Sequence, residues 1–183
     1  MSVNLKSLKK NSKGIYTELK NINELVFLPC GIELTNLKAE QESQEYFAHN
    51  FQLGGQKVIF RMAKITPTKS GQFVTIWKRN EKGVTVPFDI SDDVKLYIIA
   101  ARKNTALGLF IFPKSVLYNN RILSDKMIDG KRGIRVYPPW DLTTNKQAQK
   151  TQFWQTKYFL EISEDKQINL IKAKDLLQDL DLK

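Results

Sequence analysis

VKLYIIAARKNTALGLFIF, residues 94–112, holds two apolar runs, VKLYIIAA and LGLFIF, joined by RKNTA. A strand with one wet face alternates apolar and polar residues, whereas a strand covered on both faces reads as a near-continuous apolar run. Neither run alternates clearly, so both are expected to be central strands of a sheet packed on two sides. Pro113 ends the second run, and KSVLYNN beyond it reads as a short helix.

Upstream, residues 46–62 change to a period of two around Gly54-Gly55. A two-residue hairpin turn there sets Phe51 opposite Val58, His49 opposite Phe60 and Phe47 opposite Met62 on a core side. The other side pairs Ala48 with Arg61 and Gln52 with Lys57, and is expected to be wet and basic. In this register His49 reads as a structural histidine rather than a catalyst. FVTIWKR (73–79) continues the strand character after the loop ITPTKSGQ, with Arg79 in its wet phase.

In RGIRVYPP, Ile134 and Val136 share one face and Arg135 and Tyr137 the other, before Pro138-Pro139 closes the strand. A helix is expected from the N-cap Asn145 to about Ile162, with Ala148, Trp154, Tyr158 and Ile162 on one side and Lys146, Lys150 and Lys157 on another. Residues 2–28 have loosely helical apolar spacing, NLKAEQESQE (36–45) is polar, and INLIKAKDLLQDLDLK (168–183) is either a short amphipathic helix or a loosely held end. The sum is an α/β domain, a mixed β-sheet of about six strands flanked by helices. Residues 1–45 form an N-terminal helical segment, 46–162 the core and 163–183 a C-terminal tail.

The 183 residues are 42% hydrophobic and 26% charged, ordinary values for a globular chain. No apolar run approaches the roughly 18–20 residues needed to span a bilayer, and MSVNLKSLKKNSKG lacks the apolar stretch of a secretory signal. A cytoplasmic location without membrane association is expected. Cys30 and His49 are each the sole residue of their type, which excludes most zinc sites and every Ser-His or Cys-His relay not built on His49.

Charge is the most informative bulk property. The net charge is +10, and residues 1–160 hold 25 basic against 13 acidic side chains, while 161–183 hold 4 against 6. Residues 46–80 and 94–124 contain basic groups and no Asp or Glu. Such a field attracts polyanions; the alternative is a solvated surface. The carboxylates open to metal chemistry are Asp89, Asp92, Asp93 and Asp141. DISDD could supply one segment of a Mg²⁺ site, or simply make a turn. There is no phosphate loop, GxGxxG, GxSxG or kinase signature.

The stretches YFAHNFQLGGQKVIFRMAKITPTKSGQFVTIWKR (46–79), PFDISDDVKLYIIAARKN (87–104), GLFIFPKSVL (108–117), GKRGIRVYPPWD (130–141) and NKQAQKTQFWQTKYFLEI (145–162) resemble the MepB family of bacterial proteins. The family takes its name from a multidrug efflux operon, a gene context that specifies no biochemistry. The resemblance implies a restriction-endonuclease-like α/β fold, whose members bind DNA in a cleft at one end of a mixed sheet. Active members place an Asp before one strand and an acid-x-Lys triplet on the next. Here Asp93 and Lys114 stand at those positions, but Phe112 replaces the acid.

Two functional expectations follow. The first is a nucleic-acid-binding protein, DNA being the expected ligand, without nuclease activity or a cofactor. Its interface would draw on Arg61, Lys64, Thr66, Lys69, Trp77, Arg79, Lys114, Lys131, Arg132 and Arg135, with Trp77, Tyr137 and Trp140 as stacking aromatics or as core. The second is a Mg²⁺-dependent nuclease with a migrated carboxylate, in which Asp93 and Lys114 would be catalytic.

Overall fold

A computed structural model describes residues 17–162 and 168–180. The N-terminal part of the 2–28 helical segment and residues 163–167 and 181–183 of the tail lie outside the described residues. Helix α1, described from residue 17, runs through a wide turn at Asn23–Phe27, after which come β1 (Leu34–Ala39), β2 (His49–Leu53) and β3 (Gln56–Met62). Next are β4 (Lys64–Thr66), β5 (Lys69–Thr75), β6 (Trp77–Arg79), β7 (Thr85–Pro87), β8 (Leu96–Lys103) and β9 (Ala106–Pro113). The order closes with α2 (Lys114–Asn119), β10 (Gly133–Val136), α3 (Lys146–Gln155), β11 (Phe159–Ile162) and α4 (Leu170–Leu177).

Six strands form the principal sheet in the order β1-β2-β3-β8-β9-β11. Every neighbouring pair is antiparallel except β3 and β8, which run parallel, so the sheet is mixed. The β2–β3 register pairs His49 with Phe60 and Phe51 with Val58. Gly54 and Gly55 both have positive φ, 55° and 81°, as the tightest hairpin turn requires. Phe47 does not extend this ladder to Met62. It sits in the left-handed region at φ 49° and ends a short 3₁₀ turn.

Alternate residues of β8 and β9 feed two separate cores. Leu96, Ile98, Ala100, Leu109 and Ile111 pack with α1 and α4 on one side. Tyr97, Ile99, Phe110 and Phe112 pack on the other with Val74, Ile134 and Val136 of a second, three-stranded sheet, β10-β5-β4. This two-sided coverage is why neither run alternates. Gly108 pairs with Glu161 of the edge strand β11, and a Cβ there would stand 2.1 Å from the Phe159 ring and 2.9 Å from the Leu160 carbonyl. Gly108→Ala should therefore cost about 1–3 kcal/mol as the edge strand is pushed away. Urea unfolding reads this directly, and an unchanged midpoint would contradict the packing described.

Several expectations are corrected. Arg61 is not on a wet face. β3 is an interior strand of the sheet, with Val58 and Phe60 in one core and Ile59 in the other, so both of its faces are covered and Arg61 is 2% exposed. Its Nη1 and Nη2 donate to the two Glu40 carboxylate oxygens at 3.0 and 2.7 Å, and Nη1 also to the Phe60 carbonyl at 2.9 Å. FVTIWKR is not one strand, because it breaks at Ile76: β5 joins the three-stranded sheet, while β6 pairs with β7 in a separate ribbon. The helix from Asn145 stops at Gln155, and Phe159–Ile162 turn back as the edge strand β11. The N-terminal segment is not wholly helical, since it contributes β1.

Candidate nucleic-acid interface

The crossover from β3 to β8 supplies β4 and β5, which β10 joins to form the three-stranded sheet over one face of the principal sheet, and α3 lies beside β10. Asn145 caps α3 by accepting from the Ala148 amide at 2.9 Å, as its place before a helical run predicts. Two glutamines bind the helix to β10 and the loop that follows it. Gln155, 1% exposed, accepts from the Tyr137 amide and donates to the Arg135 carbonyl, each at 2.9 Å. Gln152 donates to the carbonyls of Pro138 and Asp141. The helix and β10 are thereby held as one rigid support.

Between them runs an open groove of about 590 Å³. Lys69, Lys131 and Arg135 reach it from the sheet side, and Tyr137, Trp154 and Thr151 contribute aromatic and hydroxyl surface. No Asp or Glu among the described residues lines it. Among the described residues neither Lys69 nor Lys131 has an ion-pair partner, and both are exposed. Arg135 is half-buried: its Nη1 donates to the carbonyls of Ser70 and Gly71 at 3.1 and 3.0 Å, and its Nη2 to Thr66 Oγ1 at 2.6 Å. It braces the β4–β5 turn and fixes where Lys69 emerges.

The other residues singled out from the sequence lie elsewhere. Lys64 is exposed, with its Nζ 4.9 Å from the centre of the Tyr46 ring. Trp77 is half-buried under Arg79, whose Nε donates to Glu42 at 2.6 Å. Arg132 donates to the Thr85 carbonyl at 3.1 Å. Trp140 is core, edge-on to Phe159. Arg61 is buried on Glu40, as described above. The structure thus gathers Lys69, Lys131 and Arg135 around one groove, with Thr66 as the brace of Arg135, and disperses Lys64, Trp77, Arg79 and Arg132. Asn145, Gln147, Thr151 and Gln155 were not read as site residues. The acid-free run NKQAQKTQFWQ (145–155) is the signal that contains all four.

The stretch with nuclease-like spacing is occupied by its own turn. Lys114 does not end a strand but begins α2, and its Nζ donates to the carbonyls of Ile90, at 3.1 Å, and Asp92. Asp89 accepts from the Ser91 amide and hydroxyl and from Ser124 Oγ, and the Ser91 hydroxyl contributes most to holding its carboxyl below the usual range. Asp92 accepts from the Asp89 amide and pairs with Lys78. Asp93 is exposed, and Phe112 is buried against Phe110, Trp154 and Tyr158. Among the described residues no three His, Cys, Asp or Glu side chains gather as metal ligands. The donor set therefore does not fit the Mg²⁺ of the nuclease expectation.

A family model described as MepB-like matches residues 40–161. The chain belongs to the MepB-like family. A solved structure described as "Crystal Structure of MepB" is similar to this MepB-like chain, with a TM-score of 0.69 and 35% sequence identity over 73% of this chain and 88% of that one. No curated protein matches. The MepB-like region begins at Glu40 and takes in the Arg61 ion pair, the whole groove and α3, while α4 lies beyond it. Among the described residues no helix is long and apolar enough to cross a membrane.

Proposed function

We propose that this MepB-like protein binds nucleic acid, with DNA the expected ligand, through the groove between β10 and α3. The observation that carries this reading is the groove's lining: two exposed lysines without an ion-pair partner among the described residues, and an arginine, beside aromatic rings, with no carboxylate among the lining residues. Phosphate oxygens would meet Lys69 and Lys131, and release of their counterions would supply most of the affinity. Tyr137 and Trp154 offer ring surface for sugars or bases. The net charge of +10 adds long-range attraction. The restriction-endonuclease-like fold belongs to the same reading, supported by a mixed sheet flanked by helices, with the contact surface displaced from the Asp93–Lys114 end to the groove.

Gel shifts with single- and double-stranded DNA and RNA, with and without Mg²⁺, test the reading. Retarded complexes at about 50 mM salt are expected, since screening over a Debye length is incomplete there. No shift with any of the four would overturn it. The same samples serve a second prediction. With Phe112 in place of the acid, and Asp89 and Asp92 engaged in their turn, no strand cleavage is expected with Mg²⁺ or Mn²⁺. Robust metal-dependent cleavage that vanishes in Asp93→Ala would instead establish the nuclease.

A further inference from the structure

The face of α3 turned away from the groove is unusual for a short surface helix. KQAQKTQFWQ contains no acidic residue, and Lys146, Lys150 and Phe153 are all exposed, Phe153 at 70%. In the turn that follows, exposed Lys157 holds its Nζ 4.7 Å from the centre of the Phe153 ring. Among the described residues none of the three lysines has an ion-pair partner. Residues three and four apart are neighbours on a helix, so Lys146 abuts Lys150, Lys150 abuts both Phe153 and Trp154, and Phe153 abuts Lys157. Trp154 lines the groove. The stripe is therefore continuous with the groove over the shoulder of the helix.

An isolated phenyl ring left in water forgoes the stabilisation that burial would bring, and here it stands among cations with no acid on the helix to balance them. That combination of a flat apolar surface and unpaired positive charge complements one chemistry closely: a strand of nucleotides, whose bases offer π-faces and whose phosphates are anionic. In a duplex those faces are hidden within the stack. We infer that the outer face of α3 is a track for single-stranded nucleic acid, on which Phe153 stacks an unpaired base while Lys146, Lys150 and Lys157 hold the flanking phosphates. The inference rests on the nucleic-acid reading of the groove and specifies which form of the polymer continues beyond it.

Fluorescence anisotropy with labelled oligothymidylate and with a blunt duplex tests it. Phe153→Ala should weaken oligothymidylate binding about tenfold, within the range of one lost base–aromatic stack, and leave the salt dependence unchanged. Phe153→Trp should restore it. Duplex binding should be unaffected by either change, while Lys150→Gln should lower the single-strand salt slope by about 0.7. Because the ring is exposed, thermal melts of these variants should match the parent protein.

Wild-type affinity of Phe153→Ala for oligothymidylate, or an equal loss on the duplex, would overturn the track while the groove reading stands. Binding to phosphatidylserine vesicles that needs Phe153, with oligothymidylate binding unaltered, would overturn it in favour of a membrane surface. If the parent protein binds neither oligonucleotide at about 50 mM salt, both readings fall together.

Discussion

Reversing two charges, Lys69→Glu with Lys131→Glu, should lower affinity for DNA on the order of a hundredfold and reduce the duplex salt slope by about two units. Each lysine that neutralises one phosphate contributes a slope of about 0.9, and its loss weakens binding about tenfold or less. Reversal also introduces repulsion, so the double change falls at the upper end of that range. Neither lysine has an ion-pair partner among the described residues and both are exposed, so the fold should be unaffected. The control is Lys174→Glu. It is exposed on α4, whose buried residues join the core on the opposite side of the principal sheet. An equal loss from the control and the groove variant would show diffuse attraction and no defined site.

The largest effect on stability is expected from Glu40→Ala. Arg61 is buried at 2% exposure, and its fork engages both Glu40 oxygens. Deleting the carboxylate leaves a guanidinium out of water with, among the described residues, only the Phe60 carbonyl to accept from it, and Arg61 Nε has no partner among them. Breaking a buried pair in this way costs about 3–5 kcal/mol, whereas replacing the charge with an apolar group of similar length costs far less. Glu40→Ala combined with Arg61→Met should therefore recover most of the loss. Chemical unfolding of the two variants measures the difference. Equal midpoints for Glu40→Ala and the parent protein would show that Arg61 is hydrated.

Local pattern carried a good deal of this architecture. The pairs His49–Phe60 and Phe51–Val58, the central, two-sided character of β8 and β9, the α2 helix and the Asn145 cap were all legible, because each depends on neighbours in sequence or on a period that burial imposes. Pairings made at long range were not legible. The parallel contact of β3 with β8 makes β3 an interior strand, and the second core packed on its Ile59 face changes Arg61 from a surface cation to a buried one. Val58-Ile59-Phe60, three consecutive apolar residues, was the sign of cover on both faces, but nothing in the sequence marked Glu40 as the partner. The end of α3 was missed because Trp154 and Tyr158 keep helical spacing into Phe159, where pairing with Phe110 draws the chain into the sheet. Lys69, Lys131 and Arg135 were found from the sequence as charges, but their meeting at one groove depends on β5 and β10 being partners, with Phe73 opposite Arg135.

The most direct test of nucleic-acid binding at the groove is a salt titration of anisotropy on a labelled duplex, comparing the parent protein with the Lys69→Glu, Lys131→Glu variant. Binding that weakens log-linearly with salt, at a slope of roughly −0.9 per neutralised phosphate, and a slope shallower by about two units in the variant are the expected results. Identical slopes for the two proteins, or no binding by the parent protein at about 50 mM salt, would contradict the assignment of the groove.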